Sequence, residues 1–363
     1  MKFARLGVLA LPVLVGSGLI VVSLRSPYAG FGGEVFVDIP KGTSTREVSR
    51  LLAGNGVVRR PWAFLLIRGL RPRARLQAGE YRFEHPASAW EVFDRIARGD
   101  VFYYELVVPE GQNVFDIARS LNRLRVIPGE EFLRTARDPA LIRDLAPRAP
   151  SLEGYLFPDT YRITRHTTAV ELCRSMTERF RRAWKQLGAS PDVHARVTLA
   201  SLVEKEAARA EERPIIASVF LNRLRREMSL DCDPTAIYAA LLENRYRGEL
   251  HRSDLESKNR YNTYQHAGLP PGPIANPGLD SLQAALRPAQ TDYIYFVVRQ
   301  DGSGGHQFSR QLEAHRLAVR KYLRGNHKAV QTRSSDRVPR RKPASLRNRS
   351  RVAGTSEAAG ADF

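Results

Sequence analysis

The chain has 363 residues, 43% of them hydrophobic, and a formal net charge of +19. That is enough apolar material for a packed core and enough length for more than one folded unit, which excludes a wholly disordered chain. The positive excess predicts an anionic partner, whether nucleic acid, an anionic membrane surface or an acidic polymer.

Residues 7–24 run without a charge, and Lys2 and Arg5 precede them. At 1.5 Å per residue the run reaches roughly 27 Å as a helix, close to the thickness of a bilayer core. The positive flank keeps residues 1–6 in the cytoplasm and exports the rest. A cleaved signal peptide is the competing reading, but the run is long for one and Pro27-Tyr28-Ala29 makes a poor cleavage site. The expectation is a single transmembrane helix with a large domain outside the cytoplasm, which points away from nucleic acid as a partner.

Residues 25–34 read as a linker containing proline and glycine. Residues 35–39 alternate like a strand, Pro40-Lys41-Gly42 forms a turn, and Thr43 or Ser44 caps a helix through Val48, Leu51 and Leu52. Gly54-Asn55-Gly56 ends it. A short strand follows at residues 79–83, then a helical period at Trp90, Val92, Phe93, Ile96 and Ala97. The opening order then returns. Residues 105–108 are strand-like, Pro109-Glu110-Gly111 is the turn, and Val114, Ile117, Ala118 and Leu121 form a helical stripe. Two copies make one weak internal repeat, not a solenoid.

Helical patterns continue at 172–184, 193–208 and 215–224, the last with Pro214 in its first turn. Asp233 at a cap and Pro234 behind it start a helix through Ile237, Tyr238, Leu241 and Leu242. Residues 293–298 read as a buried strand and 311–323 as a closing helix. Residues 326–363 form a basic, disordered tail: from 327 onward nine Lys/Arg stand against three Asp/Glu with almost no large apolar residue.

The strongest chemical signal is residues 199–207, LASLVEKEA, which set Glu204 and Glu206 in a largely apolar helix. Burial favours the protonated carboxyl, the form a general acid needs. At 100° per residue His194, Thr198, Ser201, Lys205 and Arg209 share a polar sector. Both glutamates fall outside it, on opposite flanks of the apolar arc, so periodicity does not choose between them. Buried ion pairing with Arg or Lys is the plain alternative for either. Glu153 and Asp159 sit among aromatics in SLEGYLFPDTY, a setting that suits sugar stacking as well as a packed loop. Tyr261-Asn262-Thr263-Tyr264 runs into the rigid segment 268–274, which suits a groove wall beside the Glu204 helix as well as a purely structural loop. No H-E-x-x-H, Walker A or G-x-S-x-G motif is present, so neither a metal nor a nucleotide cofactor is expected. Cys173 and Cys232 form no C-x-x-C pair and read as unpaired buried thiols.

Taken together, LEGYLFPDTY at 152–161, LASLVEKEA at 199–207, ASVFLNRL at 217–224, DPTAIY at 233–238, YNTY at 261–264 and GLPPGPIANPG at 268–278 resemble the endolytic murein transglycosylases, the YceG-like membrane-anchored lytic transglycosylases of bacteria. Tyr293, Tyr295, Phe296 and Val297, then Gly305-His306 and Phe308-Ser309, extend the resemblance. It implies an α+β protein: a transmembrane helix at 7–24, a small LysM-like module at 35–104 and a larger mixed α/β catalytic domain at 105–325. It implies cleavage of the MurNAc–GlcNAc bond inside nascent glycan strands, leaving 1,6-anhydro-MurNAc ends and terminating strand elongation. Glu204 maps onto the catalytic acid. Glu206, Glu153, Asp233, Tyr261 and Asn262 are candidates for substrate binding. The implied partners are peptidoglycan strands and penicillin-binding proteins, at the outer face of the bacterial inner membrane. Asp231-Cys232 departs from the family, which more often has a glutamine and a small polar residue there. A non-catalytic peptidoglycan-binding scaffold of the cell-wall synthesis machinery is the alternative.

Overall fold

Strand β1 (Val35–Ile39) buries Val37 and Ile39 and turns at Pro40-Lys41-Gly42, where Gly42 takes φ +86°. Ser44 then caps α1 (Thr45–Gly54) by accepting from the Glu47 amide. Helix α2 (Pro61–Leu70) opens on a proline, whose missing N–H costs nothing in a first turn. Strand β2 (Gly79–Phe83) returns antiparallel to β1, with Val35 opposite Phe83 and Ile39 opposite Gly79. Helix α3 (Ala89–Arg98), held at its start by a Ser88–Glu91 capping box, closes the unit. Leu52, Phe64, Ile67, Tyr81, Phe93 and Ile96 fill the core of this unit. In this computed structural model the described residues are 18–188 and 192–323.

The same construction follows a second time. Strand β3 (Tyr104–Val108), α4 (Val114–Leu124), α5 (Gly129–Arg137) and β4 (Asp159–Ile163) repeat the order, and β4 again returns antiparallel, Tyr104 opposite Ile163 and Val108 opposite Asp159. Gly111, at φ +77°, matches Gly42, and Asn113 caps α4 from the place of Ser44. The internal echo is therefore a twice-built strand–helix–helix–strand unit. Its second helices and the return strand β4 were not expected. Helix α2, PWAFLLIRGL, is apolar on nearly every side, so it offers no period to count. Strand β4 lies in a polar and aromatic stretch that reads as a loop.

Helices α6 (Ala169–Leu187), α7 (Val193–Glu206), α8 (Arg213–Arg225), α9 (Asp233–Leu242), the short α10 (Arg252–Leu255) and α11 (Leu279–Leu286) follow, then the β5 (Tyr295–Val298) and β6 (His306–Ser309) hairpin and α12 (Leu312–Leu323). A continuous core runs from Leu106 to Ala285, with Tyr155, Phe180, Val197, Leu202 and Phe220 among its members. Among the described residues, helices around three small two-stranded antiparallel sheets make an α+β fold.

Several local expectations change. Residues 25–34 are mostly exposed but tethered: Tyr28 bridges Ala87 and the Gly30 amide donates to the Gly56 carbonyl, while Leu24, just before them, enters the first core. Cys232 takes the cap position of α9, so Asp233 is its first helical residue and Pro234 its second. Helix α7 stops at Glu206, and its polar sector is only partly wet, because Thr198 and Ser201 are buried. Their hydroxyls donate to the carbonyls of His194 and Thr198. Cys173 and Cys232 are buried free thiols. The apolar run through residue 17, the N-terminal residues 1–6 and the basic tail lie outside the described residues. Among those described, no helix is long and apolar enough to cross a membrane.

Candidate active site

Helix α7 starts on Asp192, which accepts from the Ala195 amide, and carries Glu204 into its last turn. The Glu204 side chain is 6% exposed, and its Oε1 lies 3.5 Å from Nη2 of Arg213 at the start of α8. Its Oε2 accepts the Gly278 amide at 3.0 Å. Gly278 caps α11, so Glu204 meets the positive end of that helix. The next amide, that of Leu279, donates to a second carboxylate, Glu110. Burial raises the Glu110 carboxyl above its ordinary value; the charges of Glu204 and Asp280 add to this and Arg213 opposes it. A methyl group on Gly278 would overlap the Glu110 carboxyl group. Gly278 has φ −75°, open to any residue, so glycine is needed there for space alone.

Two residues on, Glu206 faces another way. The Cys232 thiol donates to its Oε1 at 3.2 Å. Burial raises its carboxyl, the Asp233 charge adds to this, and the thiol contact and His306 oppose it. Burial also holds the Cys232 thiol well above its ordinary value, so it is no nucleophile. Asp233 is exposed and accepts the Tyr264 hydroxyl at 2.5 Å. His306 is 5% exposed and clamps Glu212 through its amide (2.9 Å) and Nδ1 (2.7 Å).

Glu153 lies deeper, at 1% exposure. Its Oε2 accepts the Val114 amide at 2.9 Å and the Tyr238 hydroxyl at 3.0 Å, and its Oε1 accepts Nδ2 of Asn276 at 3.0 Å. Burial outweighs these donors and raises the carboxyl to about 8. Asn276 also accepts from the Gly154 and Leu156 amides and donates to the Gln112 carbonyl, so it ties three loops together. Tyr261 stacks at a tilt on Tyr238, 5.1 Å between ring centres. Asn262 is fully buried; its Nδ2 donates to Leu255 and Ser257 carbonyls and its Oδ1 accepts the Tyr264 amide, which commits the side chain to its own loop.

Segment 268–278 runs along α7 as a wall. His194 Nε2 meets the Pro271 carbonyl at 2.9 Å, the Ile274 amide donates to Ser201 Oγ at 3.1 Å, and Gly278 reaches Glu204. The six residues singled out in the sequence thus separate. Glu204 stands at the α11 terminus; Glu206 and Asp233 share the adjoining flank with Tyr264; Glu153 and Tyr261 join through Tyr238 beneath; Asn262 holds a loop. Sequence reasoning passed over Glu110, Arg213 and Gly278. The usable signal was the internal repeat: Glu110 occupies the turn position that Lys41 has in the first copy.

A cavity of about 1100 Å³ lies elsewhere. It lies where the two repeats meet α6, lined by Asp38, Lys41, Tyr161, Arg179 and Arg182, and does not touch Glu204. A smaller one, about 200 Å³, is lined by Arg213 and Asp280 beside the Glu204 pair. Among the described residues no group of three or more His, Cys, Asp or Glu is arranged to hold a metal ion.

Comparison with known proteins gives one answer. The chain is 32% identical over 312 residues to the endolytic murein transglycosylase of Bacillus subtilis (strain 168), covering 80% of this chain and 85% of that protein. It is 29% identical over 297 residues to the endolytic murein transglycosylase of Streptococcus pneumoniae serotype 2, covering 73% of this chain but 54% of that longer protein. A crystal structure of a YceG-like protein from Listeria monocytogenes superposes with a TM-score of 0.50 at 30% identity, over 78% of this chain and 98% of that one. A model of the YceG-like family matches residues 37–321, and the chain belongs to that family.

Proposed function

We propose that this chain is an endolytic murein transglycosylase, a lyase that cuts peptidoglycan glycan strands internally, with Glu204 as its acid. The observation that carries the reading is the placement of Glu204 beside a second carboxylate, Glu110, and one guanidinium, Arg213, at the amide end of α11. Burial and the neighbouring charges of Glu204 and Asp280 raise the Glu110 carboxyl beside it. As the acid, Glu204 delivers a proton to the glycosidic oxygen between N-acetylmuramic acid and N-acetylglucosamine, and the C1–O bond breaks. The ionised carboxylate then takes the proton of the same muramic acid's C6 hydroxyl as that oxygen bonds to C1. The ends are 1,6-anhydro, no water is consumed, and no second carboxylate has to activate water as in an inverting hydrolase. Glu206, Asp233 and Tyr264 line the adjoining flank and suit the acetamido and hydroxyl groups of a neighbouring sugar.

The same reading takes residues 35–104 as a LysM-like module, supported by the strand–helix–helix–strand order with an antiparallel strand pair, and residues 105–325 as the catalytic domain. It takes residues 7–24 as a single-pass anchor in the inner membrane, supported by the charge-free run behind Lys2 and Arg5. From there the enzyme would cut strands as penicillin-binding proteins make them and end their elongation.

Mass spectrometry of purified glycan strands after incubation with wild type and with Glu204→Gln tests this. Anhydro-ended fragments from wild type alone are expected. Reducing-end fragments would make it a hydrolase. Activity surviving in Glu204→Gln would move the acid elsewhere. Strand binding without cleavage by either protein would favour the scaffold reading.

A further inference from the structure

Helix α2 shows an apolar face that the described residues cover only in part. Ala63, Phe64 and Ile67 point into the core. Trp62, Leu66 and Leu70 point out, 45%, 37% and 61% exposed. Their spacing of four places them within about 80° of arc, a continuous apolar stripe. Residues 59–75 hold six arginines and no acidic residue. Arg71 pairs with Asp94, whereas Arg60, just before the helix, and Arg73 and Arg75, just after it, stand exposed.

The exit of the charge-free N-terminal run lies at the same place. Residues 18–25 are helical, with Leu19, Val21 and Val22 exposed and Leu24 buried in the first core. Ser26 closes that helix by donating its amide and hydroxyl to the Val22 carbonyl. Tyr28 and Gly30 then fasten the chain to Ala87 and Gly56. The run therefore leaves the folded body from a fixed point, and a cavity of about 240 Å³ lined by Leu19, Val22, Arg59, Arg60 and Trp62 sets that point against the start of α2.

We propose that α2 is an interfacial helix that lies on the membrane: Trp62, Leu66 and Leu70 enter the boundary between headgroups and acyl chains, and Arg60, Arg73 and Arg75 contact the phosphates of anionic lipid. Tryptophan and leucine beside arginine are the residues that such a boundary takes, and long basic side chains reach the headgroups while their stems stay apolar. A run of arginines without acids repels a second copy of the same face and is drawn to an anionic surface. The proposal rests on the reading of residues 7–24 as an anchor, which brings α2 within reach of lipid.

The test uses the full chain in vesicles of phosphatidylglycerol and phosphatidylcholine with brominated acyl chains. Flotation with the vesicles reports the anchor; the difference in tryptophan quenching between wild type and Trp62→Phe reports α2. Flotation of both proteins is expected, with quenching that depends on Trp62 and falls several-fold in pure phosphatidylcholine. Flotation with equal quenching in the two proteins would overturn the proposal and leave the anchor standing. Quenching that ignores phosphatidylglycerol would overturn the anionic-lipid assignment. A Trp62 shielded from aqueous quencher but not reached by bromine would put a protein on this face instead. Failure to float would sink the anchor, and the proposal with it.

Discussion

Glu204 and Glu110 differ in what each carboxyl must do, and substitution separates them. Glutamine at 204 still accepts the Gly278 amide but cannot give or take the proton, so Glu204→Gln should cost about 10²–10⁴-fold in strand cleavage with little change in stability. Glu110→Gln keeps the Leu279 contact and removes only the neighbouring charge; a loss of roughly 10–100-fold is expected, below the cost of removing a group that contacts the developing charge directly. Gly278→Ala tests the same carboxylate from the other side, since its φ suits alanine and its methyl group collides first with Glu110. Cleavage by the double variant Glu110→Gln/Gly278→Ala should be no slower than by the worse single one, because both act on one group. Fully additive losses would mean that Gly278 serves something besides Glu110.

At the scale of elements, Glu153 joins α4, α9 and the 268–278 wall, and its raised carboxyl makes that junction depend on pH. The unfolded chain releases this proton near 4.5, whereas the folded chain holds it to about 8. Folding therefore gains from the bound proton below 4.5, and the gain is lost as pH rises to about 8. The raised Glu206 carboxyl has the same sign. Denaturant midpoints at pH 5, 7 and 9 should fall for wild type, and fall less for Glu153→Gln, which has no proton to lose. That variant sets an amide donor against Nδ2 of Asn276, so it should be less stable at pH 5 by about 1–3 kcal/mol. The wall itself was legible as a groove beside the Glu204 helix because proline and glycine punctuate it. Its attachment through Asn276 was not, since nothing in ANPG says which loops an amide will reach.

Across the whole molecule the two repeats are tied by few polar contacts. Arg165, just past β4, reaches Glu80 on β2 at 3.0 Å, and His166 reaches Asp38 at 2.9 Å. Glu80 is 3% exposed, and its Oε2 has no partner among the described residues. Burial raises its carboxyl and Arg165 lowers it, so removing the cation drives it further up. Arg165→Met should destabilise the chain by about 1–2 kcal/mol at pH 8, since Arg165 is itself half exposed and screened. The deficit should be smaller at pH 5 than at pH 8, because the raised Glu80 carboxyl is nearer to neutral there. Thermal unfolding at the two pH values measures it, and a deficit that does not change with pH would place the effect in lost packing on Phe36.

Short-range chemistry was enough to settle much from the sequence: the P-x-G turns of the two repeats, a cap at Thr43 or Ser44, the apolar periods of α6 to α8, and a pair of carboxyl groups on α7. These depend on neighbours within a turn or two of chain, which the sequence carries directly. Only the tertiary structure decided which way each carboxyl faces. It sent Glu204 to the end of α11 and Glu206 to Cys232, brought Glu110 across from the second turn, and buried Glu153 and Asn262 as fasteners. Those outcomes depend on contacts between residues tens to more than a hundred positions apart, and only packing fixes such distances.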